Sequence, residues 1–211
     1  MFLFYKSKPK KEATMFRLKI FYTVLFASGL FLLFVSACND SSNGKREISQ
    51  AERIAKGRDL VTAGGCGDCH TPKIMTPNGP VQDTTKLLSG ASENLSISGV
   101  DPNLVKPGNW ILFTQDLTAA VGPWGASFAA NLTPDEETGI GNWREEMFIN
   151  AMRLGKHLGA GRPIMPPMPW EFIGKRSDED LKAMFAYLKS LKPVKNKVPD
   201  YLPPDKVFAK K

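Results

Sequence analysis

A pentapeptide, "CGDCH" at residues 66–70, constrains this chain more than any other stretch of it. Two cysteines with two residues between them, followed at once by histidine, fit three chemistries. They are a zinc ligand pair, a thiol–disulfide couple, and the covalent attachment of a c-type haem. A zinc site usually takes four protein ligands. Cys66, Cys69, His70 and His157 would make up that number. However, adjacent Cys69 and His70 are awkward donors to one tetrahedral ion, and the sequence has no second cysteine pair. A thioredoxin-like couple wants its first cysteine at the start of a helix that follows a strand, where the thiolate is stabilised. Here the helical pattern precedes the motif, and no strand–helix alternation surrounds it. Haem attachment uses all three side chains: both thiols add to the porphyrin vinyl groups, and the imidazole meets the iron. Gly67 leaves the arc between the thiols sterically free. The residues favour one covalent haem c, with Cys66 and Cys69 as thioether donors and His70 as the proximal iron ligand.

Attachment of this kind takes place outside the bacterial cytoplasm, and the N-terminus agrees with export. Residues 20–37, "IFYTVLFASGLFLLFVSA", form an apolar run behind a basic stretch. A run of that length can also span a bilayer, so an uncleaved N-terminal anchor is the competing reading. "VSAC", Val35–Cys38, resembles the bacterial lipoprotein signal box, in which the cysteine is acylated and becomes the new N-terminus. Residues 1–37 are accordingly expected to be a lipoprotein-type signal peptide and Cys38 the lipidation site. Met15 offers a second start, ahead of a leader of more usual length. With Cys38 lipidated and two thiols on haem, none of the 3 cysteines is left over. The formal charge of +7 is also mostly leader: six Lys/Arg against Glu12 alone lie in residues 1–37. No basic stripe remains in the mature chain, which argues against nucleic acid as a partner.

Residues 38–48 are polar and aperiodic, a lipid-anchored tether in which "NDSSNGKREI" has a root-mean-square reach of about 16–19 Å. A helix is predicted over 49–64: Ser49 and Glu52 make a capping box, Ile54, Leu60 and Val61 recur at helical spacing, and Gly64–Gly65 stop it. Residues 71–130 read as long loops with a short hairpin near "NWILFTQDL". Asn142 with Glu145 predicts a helix cap leading through about Leu154, and Ser177 with Asp180 starts the last helix, "DEDLKAMFAYLKSL". Residues 49–195 are expected to form the domain and 196–211 a Pro-rich tail along its surface.

A haem with histidine on one face invites a second donor, and methionine or histidine there gives an electron-transfer centre. Met147, Met152 and Met184 fall within predicted helices and are expected to pack in the core. Met75 is too near His70 to pass round the porphyrin. Met165 and Met168 stand in "RPIMPPMPW", a loop stiffened by Pro163, Pro166, Pro167 and Pro169. A rigid loop suits a weak thioether–iron bond, because its ordering entropy is lost in folding and not on ligation.

The stretches "CGDCHTPK", "ANLTPDEETGIGNW" and "PPMPWEF…SDEDLKAMFAYLKSL" together resemble the class I cytochrome c family, over about residues 49–195. The likeness is to exported bacterial members that include cytochrome subunits of membrane dehydrogenases. It implies an all-α cytochrome c fold with long loops around one covalent haem. Its distal methionine precedes a proline shortly before the last helix cap. That favours Met168 over Met165, the runner-up, with His157 a less favoured donor. The resemblance also implies that Gly57 of the first helix meets Tyr187 of the last. A carbonyl of the Gly79–Pro80 turn is expected to accept the proximal imidazole proton. Trp110, Trp124, Trp143, Trp170 and Arg162 are candidates for the pocket wall. The function implied is a monohaem electron carrier, not itself an enzyme, between an extracytoplasmic dehydrogenase and a respiratory acceptor. A catalytic or gas-sensing haem with an open sixth site, or a docking subunit of a dehydrogenase complex, are the alternatives. The single haem motif departs from relatives that carry two or three.

Overall fold

In the computed structural model the described residues are 48–208. The expected leader, Cys38 and the tether up to residue 47 lie outside them. Helix α1, Gln50–Ala63, begins at the predicted box: Ser49 accepts from the Glu52 amide while the Glu52 carboxylate accepts from the Ser49 amide. Gly64 closes it. The motif itself is a single helical turn, α2, Cys66–His70, entered through the left-handed backbone of Gly65. Two short strands follow, β1 (Lys73–Thr76) and β2 (Gly79–Gln82), an antiparallel hairpin.

A second sheet is antiparallel in the order β3 (Leu112–Phe113), β4 (Ala119–Gly122), β5 (Gly125–Phe128). The chain then returns to helix: α3 (Glu145–Leu154), α4 (Trp170–Ile173), α5 (Asp178–Ser190) and a final turn α6 (Pro204–Val207). The domain is mainly helical with two minor sheets, so the expectation of an all-α chain is corrected within 71–130. Alternation there is hidden because β4, and β5 up to Phe128, are buried without interruption and carry mostly small residues, "AAVG" and "GASF", instead of an inside–outside pattern. Helix α3 is entered through the extended backbone of Arg144, directly before its acidic pair. Asn142 is not its cap and instead donates to the Glu136 carbonyl.

Helices α1 and α5 cross in close contact. A Cβ on Gly57 would lie 1.9 Å from the Ala183 carbonyl oxygen and 2.8 Å from the Tyr187 Cβ. Only the missing side chain lets the two backbones meet. The principal core is built on that crossing from Val61, Leu88, Ile140, Phe148, Ala151, Met152, Leu181, Met184, Phe185 and Leu188. Full burial of a large apolar side chain of this type is worth about 1.5–3 kcal/mol. Phe148 and Phe185 pack with ring centroids 5.5 Å apart. Met152 and Met184 are core residues, as expected, whereas Met147 is only half-buried and outside that core, and Met75 is exposed.

A smaller cluster, Val105, Val121, Ala126 and Val207, fastens the second sheet. The stretch after 195, expected along the surface, is part of this construction. Leu202 and Ala126 exchange backbone hydrogen bonds of 2.8 and 3.0 Å, Val207 is buried, and Asn196 is buried among backbone groups. Proline hid this segment, because it gives no period; the tail pairs through its non-proline residues.

Candidate functional site

The turn α2 projects Cys66, Cys69 and His70 into one cleft of about 480 Å³. Its walls also include Ile140, Phe148, Met152 and Ile173 from the core, and Met165 and Met168 from the proline-rich loop. Such a volume and apolar lining are what a small-molecule or cofactor site has. The sequence-predicted donors, separated by about a hundred residues in the chain, are thus brought to a single space. Trp143, His157 and Arg162 line it too. Trp110, 68% exposed, lies elsewhere, and Trp124 and Trp170 are not on its wall.

His70 is buried, and its Nδ1 lies 2.8 Å from the carbonyl oxygen of Ala130. A carbonyl can only accept, so Nδ1 carries the proton and donates it, and Nε2 keeps a lone pair. Burial holds the imidazole below its ordinary pKa against the opposing effect of the Ala130 bond, and so favours the neutral ring. A neutral ring with its far nitrogen tied to a carbonyl is the state that binds metal. The expected acceptor, a carbonyl of Gly79–Pro80, is corrected. Gly79 and Pro80 belong to strand β2, where the Gly79 carbonyl accepts from Thr76 Oγ1 at 2.7 Å. The resemblance located the type of partner and missed its place, because the acceptor is a backbone carbonyl 60 residues further along the chain.

The backbone around His70 is fixed from behind. Gly90 donates to the His70 carbonyl at 2.7 Å, Ala91 donates to the Ala129 carbonyl at 2.9 Å, and Thr71 Oγ1 accepts from the Leu88 amide. Asn196 holds the other side of that segment, donating through Nδ2 to the carbonyls of Ser89 (2.7 Å) and Ala91 (2.8 Å). Sequence reasoning singles out neither Gly90 nor Asn196. The "SGA" at 89–91 carries a turn signal and nothing more. Lys73 Nζ donates to the Asp68 and Asp116 carbonyls, tying the motif turn to the β3–β4 connection.

Cys66 and Cys69 are free thiols, each partly buried. Burial pushes both above the ordinary thiol value. A thioredoxin-like couple needs the opposite, a depressed thiol poised as thiolate. Zinc lacks support as well: among the described residues, no group of three His, Cys, Asp or Glu side chains could hold a metal ion. One imidazole nitrogen, two thiols and two thioether sulfurs lining one apolar cleft are a donor set that fits covalent haem.

The methionine loop is anchored at both ends. Ile164 donates to the Gly155 carbonyl at 2.8 Å, and α4 begins at Trp170. Met168 packs partly against the core, which Met165 does not. His157, an exposed residue, stands edge-on to Trp143 with ring centroids 5.1 Å apart. Partial shielding of its ring from water and the Arg162 charge hold its pKa below the ordinary value.

No protein-family profile matches the chain. A nicotinate dehydrogenase subunit of Pseudomonas putida is 30% identical over 149 residues, which are 71% of this chain and 9% of that protein. The cytochrome c subunit of the quinone alcohol dehydrogenase of Gluconobacter oxydans is 41% identical over 81 residues, 37% of this chain and 17% of that protein. The fructose dehydrogenase cytochrome subunit of Gluconobacter japonicus is 36% identical over 77 residues, 36% of this chain and 16% of its own length. The matches therefore span only a minor part of each of these relatives.

Proposed function

We propose that this chain, a homologue over part of its length of the cytochrome c subunits of dehydrogenases, is a c-type cytochrome and a monohaem carrier of single electrons. It takes them from a dehydrogenase outside the cytoplasm and passes them to a respiratory acceptor. In this reading residues 1–37 are a lipoprotein signal peptide, and acylated Cys38 holds the domain at a membrane surface. Cys66 and Cys69 bind the porphyrin through thioethers, His70 binds iron through Nε2, and Met168 is the distal donor.

The observation that carries the reading is the single cleft shared by the CGDCH turn and the methionine loop. The haem, when bound, supplies a one-electron couple at its iron. The chain's own residues do the rest. Ala130 keeps the proton of His70 on Nδ1, so the ring presents a lone pair and a fixed orientation. Ile140, Phe148 and Met152 keep the surroundings apolar, which disfavours the more highly charged oxidation state. A thioether raises the potential relative to a second imidazole.

A ferric absorption spectrum tests the distal assignment. The wild type is expected to show the weak red-edge band of methionine–iron bonding, and the reduced protein not to bind carbon monoxide readily. Met168→Ala should lose the band and Met165→Ala keep it. The reverse pattern would transfer the role to Met165. A wild-type protein without the band and open to carbon monoxide would favour a catalytic or gas-sensing centre instead.

A further inference from the structure

We infer that Ser127 is a positioning residue for the methionine loop, holding the distal donor on the iron from the second sheet. The inference rests on the proposed methionine ligation.

Ser127 sits in β5, is buried, and lies on the wall of the cleft. Its Oγ is 2.5 Å from the carbonyl oxygen of Pro166 and 3.5 Å from that of Ala120. A hydroxyl has one proton to give, and the shorter approach takes it. The Trp124 indole donates to the same Oγ at 3.3 Å, filling its acceptor side. Tyr201 in turn donates to the Trp124 carbonyl. A line of hydrogen bonds thus runs from the C-terminal segment through the β4–β5 turn to the residue between Met165 and Pro167.

That one bond matters because of what the loop lacks. Pro166 and Pro167 have no amide protons, so the loop cannot fasten itself as other loops do. Within residues 165–168 the only internal backbone bond is from the Met168 amide to the Met165 carbonyl, at 3.3 Å. Among the described residues, Ser127 to Pro166 is the only hydrogen bond that joins residues 165–168 to another element. Remove the hydroxyl, and the loop keeps its proline stiffness but loses its tie to the sheet. The Pro166 carbonyl would then have to be satisfied by water or by a shift of the loop.

The test uses the haem-loaded protein and added imidazole, which competes for the sixth position of ferric iron. In Ser127→Ala, imidazole should bind about tenfold more tightly, the scale of one lost hydrogen bond. The red-edge methionine band should weaken, and the midpoint potential should fall. Ser127→Thr, which keeps a hydroxyl, should restore wild-type imidazole binding. If Ser127→Ala does not fold, Ser127→Thr against Ser127→Val decides, since Thr and Val share a shape and differ in the hydroxyl. Tight imidazole binding in the Val variant alone supports the role. Equal imidazole binding in wild type and Ser127→Ala, or in the Thr and Val variants, overturns it. A wild-type spectrum without the band would sink the methionine ligation itself, and this role with it. A wild-type band that survives unchanged in Ser127→Ala would sink only the role of Ser127.

Discussion

Gly90 lies against the carbonyl that accepts the His70 imidazole proton: a Cβ built on it would fall 2.6 Å from the carbonyl carbon of Ala130 and 2.7 Å from its oxygen. That oxygen is the one to which His70 Nδ1 donates. Gly90 also has φ near +82°, a left-handed conformation that side chains disfavour. Gly90→Ala is therefore expected to destabilise the domain by about 2 kcal/mol or more, from strain and overpacking together. It should also displace Ala130 and weaken the proposed His70–iron bond. Thermal unfolding measures the first effect, and a shifted potential or faster haem dissociation in a cysteine-free background measures the second. A variant as stable as wild type, with the same potential, would show that the segment yields at this contact without cost.

The two thiols have separate consequences. Cys66→Ser and Cys69→Ser should each leave a single thioether and one unsaturated vinyl group conjugated with the macrocycle, moving the reduced bands to longer wavelength. The double variant should bind haem only through His70 and the cleft, so that acid–organic solvent extracts it. Haem that stays with the double variant on a denaturing gel would refute the assignment of these cysteines.

Much of this site is legible in the sequence, for reasons that differ by residue. Ser49, Glu52 and Ser177 advertise helix starts through a local bonding pattern, and both starts lie where that pattern puts them. The CGDCH turn is legible because its chemistry leaves few alternatives, and Gly57 is legible through the resemblance to class I cytochromes c, which implies the helix crossing. Ala130, Gly90, Asn196 and Ser127 are not. Ala130 and Ser89 contribute a backbone carbonyl, which every residue has, and Gly90 looks like any loop glycine. Asn196 works through partners 105 and 107 residues away, and Ser127 through one 39 away. Polar residues with distant partners leave no period in sequence, so the frame of the site can be read but not its bracing.

Asn196 makes the reach of that bracing measurable. Its amide donates to two carbonyls, and its Oδ1 accepts from the Glu93 amide at 3.1 Å. Truncation would leave the buried carbonyls of Ser89 and Ala91, and the amide of the exposed Glu93, without this partner. Asn196→Ala is expected to cost about 2–4 kcal/mol, since each buried group left unsatisfied costs about 1–3 kcal/mol and water will recover part of it. Amide exchange should quicken at Gly90 and Ala91, the residues that clamp His70 and Ala129. Protection unchanged at both amides would confine Asn196 to the tail.

Acid provides a last test, at Asp116. Burial alone would raise its carboxyl, but donation from Thr114 and Thr118 and the nearby Lys73 charge outweigh burial and hold it below the usual carboxylate value. The sign follows from linkage. An unfolded chain takes up this proton at the ordinary carboxylate pKa of about 4, while the folded chain resists until lower pH. The contribution is therefore complete above that ordinary value and is lost as pH falls through the lowered one. Asp116 is partly solvent-exposed, so its worth at neutral pH is at most about 1 kcal/mol. Asp116→Asn should lower the melting temperature at pH 7 by a few degrees and flatten its decline in acid. The slope will not vanish, because Asp180 is also held low, first by its bond to Lys56. Melting curves of the two proteins between pH 7 and pH 3 check this: convergence toward acid is expected, and parallel decline would mean that the Thr114–Asp116–Thr118 cluster adds nothing to acid sensitivity.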